Sequence, residues 1–366
     1  MNRRQLIGWG LGAGALISVG GAGVFYRRQE VALLSAASIG DKHYGVLLDA
    51  KGRILQQTAL PSRAHAAVYN PDKQQALFFS RRPGTELYVV GLGKKGVATV
   101  NSEPGRHFYG HGILSADNRY LLATENDYQA GRGVISIRDA KAGYRLINEI
   151  PSHGIGPHEL AFVSDDSGAT DKLVVANGGL LTHPQLSRVP KNIDSMQPNI
   201  SFIQWQEDRL LSQWEPPNNQ LSLRHLSVEK GVATIGAQYQ GAALDDVPLV
   251  FSASEHSDMK ALAVNNNFNA AHAKYTASVC SLREGGALVS CPKANRVSLW
   301  DKNTLLQSAA VRDVAGLARL RSSDTLIYSS GDGTVGTIRI DKNRLFFTPL
   351  QIHSGLRWDN HLIAVS

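Results

Sequence analysis

The stretch His111-Gly112-Ile113-Leu114-Ser115-Ala116-Asp117-Asn118-Arg119-Tyr120-Leu121-Leu122-Ala123 reads as a short strand, a polar turn and a second strand, and the same marks recur along the chain. His65-Ala66-Ala67-Val68-Tyr69, His158-Glu159-Leu160-Ala161-Phe162, His225-Leu226-Ser227-Val228 and His361-Leu362-Ile363-Ala364-Val365 open in the same way. Thr276 to Leu282 and Gly316-Leu317-Ala318-Arg319-Leu320 look like the same strand without the histidine. A polar turn follows the strand: Asn70-Pro71-Asp72-Lys73, Ser164-Asp165-Asp166-Ser167 and Arg321-Ser322-Ser323-Asp324 match Ser115 to Asn118. Later in each unit comes a tight turn with Asp before a basic or small residue, as in Asp49-Ala50-Lys51-Gly52, Asp139-Ala140-Lys141-Ala142, Asp301-Lys302-Asn303 and Asp341-Lys342-Asn343. Asp and Asn suit such turns because their side chains bond nearby backbone and tolerate left-handed geometry.

The openings fall at intervals of about 40–50 residues, the length of a four-stranded propeller blade. Only the interval from His158 to His225 is long, and the polar, Pro-containing loop Leu180 to Pro198 accounts for the excess. Six complete units run from about residue 63 to 350. Val31 to Ile39, Tyr44 to Asp49 and Ile54 to Leu60 supply three strands of a seventh, and His361 to Ser366 supplies its first strand. The expected fold is therefore all-β: a seven-bladed β-propeller whose ring is closed by the C-terminal strand joining three N-terminal strands. Such closure removes free sheet edges. The competing arrangement is an open sandwich or two smaller β-domains. A composition with 35 Gly, 14 Pro and 19% charged residues fits many short strands and turns.

Residues 1–30 differ in kind. Asn2-Arg3-Arg4-Gln5-Leu6-Ile7 precedes a nearly uncharged apolar run that reaches Phe25, and Arg27-Arg28 closes it. This is the pattern of an export signal, and the paired arginines point to the twin-arginine (Tat) route and its translocase. An ordinary membrane anchor with basic flanks is the alternative. Ala13-Gly14-Ala15 resembles a cleavage site but lies too early, so cleavage and retention as an inner-membrane tether both stay open. The expectation is a periplasmic propeller over 31–366. The net charge of +7 owes something to this segment, and no dense basic run with interleaved aromatics follows, which argues against nucleic acid as a partner.

Cys280 and Cys291 flank Arg283-Glu284-Gly285-Gly286, a turn between two apolar runs. A hairpin there, in an oxidising periplasm, favours a disulfide between them; two buried free thiols are the alternative. Trp205, Trp214, Trp300 and Trp358 read as packing between blades. Gly331-Asp332-Gly333-Thr334 reads as a plain β-turn.

The first strand of each blade lines the axial channel, so residues at equivalent openings converge. His65, His111, His158, His225 and His361, five of twelve histidines, would form a broken ring at one channel mouth. Neutral imidazole is a good ligand for iron, copper or zinc, so these are the candidate metal ligands. Arg106, Glu125, Asn126, Asp127, Glu159, Asn177, His183 and Arg224 stand near them in sequence and are candidate ligand-binding residues. The competing reading is structural, because a histidine at a blade start also serves in hydrogen-bond networks that fix a blade. No Gly-x-Ser-x-Gly, Cys-x-x-Cys-His or His-Glu-x-x-His motif is present.

Gly105-Arg106-His107-Phe108-Tyr109-Gly110-His111-Gly112, Thr124-Glu125-Asn126-Asp127, Gly154-Ile155-Gly156-Pro157-His158-Glu159-Leu160, Ala176-Asn177-Gly178-Gly179, Thr182-His183-Pro184 and Ser222-Leu223-Arg224-His225-Leu226 together resemble an uncharacterised bacterial family, domain of unknown function fifteen-thirteen. The resemblance covers nearly all of the chain after the first segment. It implies a Tat-exported, propeller-like periplasmic protein encoded beside imelysin-type iron-uptake proteins and a di-haem protein, and so a role in iron acquisition. It supplies no reaction. Three functions are carried forward: a binding or accessory protein holding iron or another transition metal, a metal-dependent lactonase- or oxidoreductase-like enzyme, and an interaction scaffold with structural histidines. The units opening near Thr276 and Gly316 lack the histidine, which makes the ring lopsided.

Overall fold

The Asp-containing turns form as their chemistry requires. Asp49 Oδ1 accepts from the backbone N–H groups of Lys51 and Arg53, each at 2.9 Å. Asp139 accepts from Lys141 N–H at 2.8 Å, and Asp301 from those of Asn303 and Thr304 at 2.7 Å. At the last of these turns Lys342 and Asn343 take φ of 47° and 62°, the left-handed region. Asp332 Oδ1 likewise accepts from Thr334 N–H at 3.1 Å, so the Gly331 to Thr334 segment is a turn.

The computed structural model describes residues 30–163, 170–186, 189–242, 245–264, 272–320 and 322–365. The twin-arginine segment, the expected turn at 164–167 and Arg321 lie outside them. Six blades have four antiparallel strands each in sequential order. Blade 1 comprises Ala64–Asn70, Gln75–Ser80, Glu86–Gly91 and Ala98–Asn101, and blade 2 comprises Arg106–Leu114, Tyr120–Asp127, Arg132–Asp139 and Arg145–Pro151. Blades 3 to 6 begin at Pro157–Val163, Leu221–Glu229, Val279–Ser281 and Val314–Leu320. Blade 7 is stitched from both ends: Leu33–Ile39 pairs with Lys42–Leu48 on one side and with Arg357–Trp358 and Ile363–Ala364 on the other.

Each blade's core residues alternate along strands, so each sheet has two apolar faces that need neighbours. Seven hydrophobic clusters meet that need, one per blade junction. Val174 and Phe202 of blade 3 pack on Leu223 and Phe251 of blade 4, for instance, and Ile327 of blade 6 packs on Leu33 and Trp358 of blade 7. Trp205, Trp214 and Trp300 also sit at such junctions. Closure needs no further strand.

Two expectations change. The closing strand is not continuous: between Trp358 and Ile363 it leaves the ladder, and Ser35 Oγ–H donates to the His361 carbonyl at 2.7 Å instead. This break turns Asp359 and His361 toward the axis. The Cys280–Cys291 disulfide does not form; both thiols are free and buried. Cys280 stands opposite Leu288, and Cys291 lies an odd number of positions further along that strand, so the two sulfurs face opposite sides of the sheet. They join different clusters, and burial pushes each thiol up to about 12.

Candidate metal centre

A ladder irregularity marks every innermost strand that carries a cluster histidine. The register shifts between Ala64 and Ala67, between Phe108 and Gly112, between Pro157 and Glu159, and between Leu223 and His225. His361 lies in the break of blade 7 described above. A bulge re-aims a side chain that a regular strand would hold against its own neighbours. Here it swings each imidazole into the channel. Blade 6 has the same shift between Val314 and Leu317, but Ala315 and Gly316 fill it. A Cβ on Gly316 would stand 2.5 Å from Leu362 N, so the closing segment occupies that sixth place. Gly110 is needed for a related reason: at φ 109° a Cβ there would lie 2.8 Å from His65 Cδ2.

The five rings form one plug. His65 lies 5.0 Å from His111, 5.6 Å from His158, 6.2 Å from His225 and 4.5 Å from His361, centroid to centroid. His111–His361, His158–His225 and His225–His361 are 4.5, 4.6 and 4.6 Å apart. None is more than 5% exposed. The five rings that the sequence placed toward one channel mouth are thus brought together and buried.

Two carboxylates orient the plug. His65 Nδ1–H donates to Asp359 Oδ1 at 3.2 Å, and Asp359 also accepts from Arg63 Nε at 2.7 Å and Arg81 Nη1 at 3.2 Å. Burial alone would raise Asp359, but His65, Arg81 and Arg63 hold it far below the usual carboxylate range. On the other side, Glu159 Oε2 accepts from Leu226 N–H at 3.1 Å and pairs with His225 Nδ1 at 3.2 Å, while Oε1 lies 3.6 Å from His111 Nδ1. Burial pushes Glu159 up to about 8.

Three of the remaining ring nitrogens lack partners. His111 Nε2, His158 Nδ1 and His361 Nε2 are buried with no hydrogen bond. An unsatisfied buried polar atom costs about 1–3 kcal/mol, so three in one place call for an explanation. Ligand atoms of His65, His158 and His225 lie within 4.8 Å of one another, as do those of His65, His111 and His361, and of His111, Glu159 and His225. Burial drives His111, His158, His225 and His361 well below the ordinary imidazole value, and lowers His65 too. Burial thus disfavours the charged form of each ring, and a neutral imidazole keeps one nitrogen lone pair for a cation. Carboxylate–imidazole pairs behind free nitrogens are the arrangement that holds transition metals. The donor set therefore fits a metal ion, with His65, His111, His158, His225, His361 and Glu159 as the candidate ligands.

Of the other sequence candidates, Arg224 stands beside the plug. It is 1% exposed, its Nε and Nη1 have no acceptor, and burial pushes it down to about 9. The rest find partners away from the plug. Arg106 pairs with Glu149, Glu125 with Arg138 at 2.8 Å, and Asp127 with Arg132 at 3.3 Å. Asn177 bonds Ser152 and Asn199, and His183 packs on Tyr128 with rings 4.6 Å apart. Asn126 Nδ2–H donates toward His107 Nε2 at 3.3 Å and to the Thr182 carbonyl at 3.2 Å, tying down the inserted loop.

Sequence reading missed Asp359, Arg81, Arg82 and Tyr109. Arg81-Arg82 follows the second strand of blade 1, where Glu125-Asn126 ends that of blade 2, and that equivalence was the available signal. Arg82 Nη1 donates to Tyr109 Oη at 3.0 Å, which donates to the Leu180 carbonyl at 3.0 Å. The plug separates two spaces. One, of about 100 Å³, is lined by His65, His158, His225, Arg81, Arg82 and Tyr275 among others. The other, of about 790 Å³, reaches His111 and Glu159.

His107 gives a pH prediction for the metal-free protein. Its Nδ1–H donates to the Phe108 carbonyl at 2.9 Å, Nε2 accepts, and burial lowers it to about 4. The unfolded value is about 6.5, so the unfolded chain binds the extra proton first. Stability is full above about 6.5 and falls as pH drops toward 4, by on the order of 3 kcal/mol for His107 alone. The five lowered rings of the plug add in the same direction. Denaturant midpoints at pH 7.5, 6 and 5 should fall steeply; a flat profile would show the rings are not buried and neutral.

These features define a closed seven-bladed propeller whose axial channel is plugged by five buried imidazoles. Residues 58–365 match the family described as "Protein of unknown function (DUF1513)", and the chain belongs to that family. No curated protein matches the sequence. Among solved structures, the chain is similar to one titled Kuenenia stuttgartiensis Hydrazine Synthase, with TM-score 0.61 and 10% identity, covering 87% of this chain and 95% of that one. It is also similar to one titled Structure of U3-55K, with TM-score 0.52 and 12% identity over 84% and 90% of the two chains. Likeness at these identities speaks to the propeller fold alone.

Proposed function

We propose that this propeller is a periplasmic metal-binding protein that serves iron acquisition, with a transition-metal ion held by the channel histidines. The observation that carries the reading is the set of buried, neutral imidazoles with three unpartnered nitrogens. Uncharged rings without hydrogen bonds gain little from one another, whereas a cation would satisfy them together. It would also draw the proton from Glu159, since a nearby cation favours the carboxylate. The Arg3-Arg4 segment supports export by the twin-arginine route, which suits a protein that folds around its site before crossing. Imelysin-type and di-haem proteins of the periplasm are the proposed partners, and an uncleaved first segment would tether the propeller to the inner membrane.

The test is metal content by mass spectrometry of full-length chain recovered from a periplasmic fraction. About one transition-metal ion per chain, with iron foremost, is expected. Protein that carries no iron, copper or zinc above background, or that stays in the cytoplasm with Arg3-Arg4 intact, would count against it. A metal-dependent enzyme is the second reading, favoured by the larger space that reaches His111 and Glu159. Metal-dependent turnover of a lactone or a redox dye would separate it from pure binding.

A further inference from the structure

We infer that the smaller channel space is a binding site for one small oxyanion, such as carbonate or phosphate, seated against the metal-facing side of the plug. The inference builds on the metal reading and shares its histidines, but adds Arg81, Arg82 and Tyr275, which are not metal ligands. Arg81 and Arg82 line this space together with Tyr275, Gln238 and Asn360, and His65, His158 and His225 form its floor. Arg81, Arg82, Tyr275, Gln238 and Asn360 all carry N–H or O–H donors on a guanidinium, phenol or amide. No carboxylate lines it.

The charges do not balance without a ligand. Asp359 is the nearest carboxylate, and its oxygens already accept from His65, Arg63, Arg81 and the Asn360 N–H. It can offset one guanidinium, not the group. Arg82 donates to the Tyr109 hydroxyl at 3.0 Å and has no carboxylate partner among the described residues. Arg224, which does not itself line this space, is buried with Nε and Nη1 unpartnered. Arg81 and Arg82 are only partly buried, so water offsets part of their charge, but a metal cation in the plug would deepen the imbalance. Guanidinium forks match oxyanions in shape and donor number. A space of about 100 Å³ admits a small oxyanion with a few waters but no large chelate.

The test titrates sodium bicarbonate and sodium phosphate, with sodium chloride as control, into zinc-loaded and metal-free full-length chain by calorimetry, with iron, copper and zinc uptake measured in parallel. One bicarbonate or phosphate per chain is expected, bound more tightly when zinc is present. Loss of a charge-assisted donor should weaken it roughly tenfold or more in Arg82→Gln. Because Arg224 is fully buried, Arg82→Gln and Tyr275→Phe are the primary variants, with thermal melting to verify folding. If zinc-loaded chain binds neither anion, or if both variants bind as the parent does, the oxyanion site is refuted while the metal reading stands. If the chain takes up no iron, copper or zinc yet metal-free protein binds the anion through Arg82, the metal reading fails and this one survives.

Discussion

Arg138→Met is expected to destabilise the folded chain by about 3–5 kcal/mol, because it leaves Glu125 charged and alone in the core. Arg138 is 1% exposed and Glu125 0%, and they meet at 2.8 Å. Glu125 Oε2 already has no hydrogen-bond partner, and Arg138 is its ion-pair partner among the described residues. Arg138 does more than pair. Its Nε donates to Ser136 Oγ at 3.2 Å, its Nη1 to the Asn101 carbonyl at 3.3 Å, and it lies over the Phe108 ring at 5.1 Å. One side chain thus joins the outer strand of blade 1 to the body of blade 2. The measurement is the denaturant midpoint. The double variant Arg138→Met/Glu125→Leu should recover much of the loss, since an apolar pair of similar volume often replaces a buried ion pair at little cost. A single variant within about 1 kcal/mol of the parent would contradict the assignment of Glu125 to the framework.

The second large effect concerns metal affinity. Asp359→Asn keeps the shape of the residue but removes the charge that orients His65. Loss of such an outer partner typically lowers metal affinity about 10–100-fold. His225→Ala should do more, because His225 belongs to two of the three ligand groupings and its Nδ1 engages Glu159. Competition against a chromogenic chelator reads both. Thermal melting must accompany it, as Asp359 also anchors Arg63 and Arg81. Unchanged affinity in both folded variants would mean that any bound metal sits elsewhere.

Much of this was legible in the sequence because it is local. The Asp turns and His-opened strands repeat within each blade, so periodicity revealed seven units and placed five histidines at equivalent sites. What escaped depends on contacts between blades or on ladder details. Asp359 lies next to His65 only because the closing segment returns to blade 1. The bulges in the histidine-bearing strands leave no mark in residue type. Glu125, Asn126, Asp127 and Asn177 end second strands and look like ligands on paper, yet each meets a partner within the framework. The disulfide failed on strand parity: a hairpin brings two cysteines close only when the register puts them opposite one another.

Imidazoles of the channel plug, contributed by different blades, are proposed to hold one metal ion. X-ray absorption at the metal edge of the loaded, full-length chain tests it most directly. The expected spectrum has a first shell of nitrogen and oxygen only, with the multiple scattering of several imidazoles, and it changes in His225→Ala. A sulfur shell from Cys280 or Cys291, or a spectrum without imidazole scattering, would contradict it.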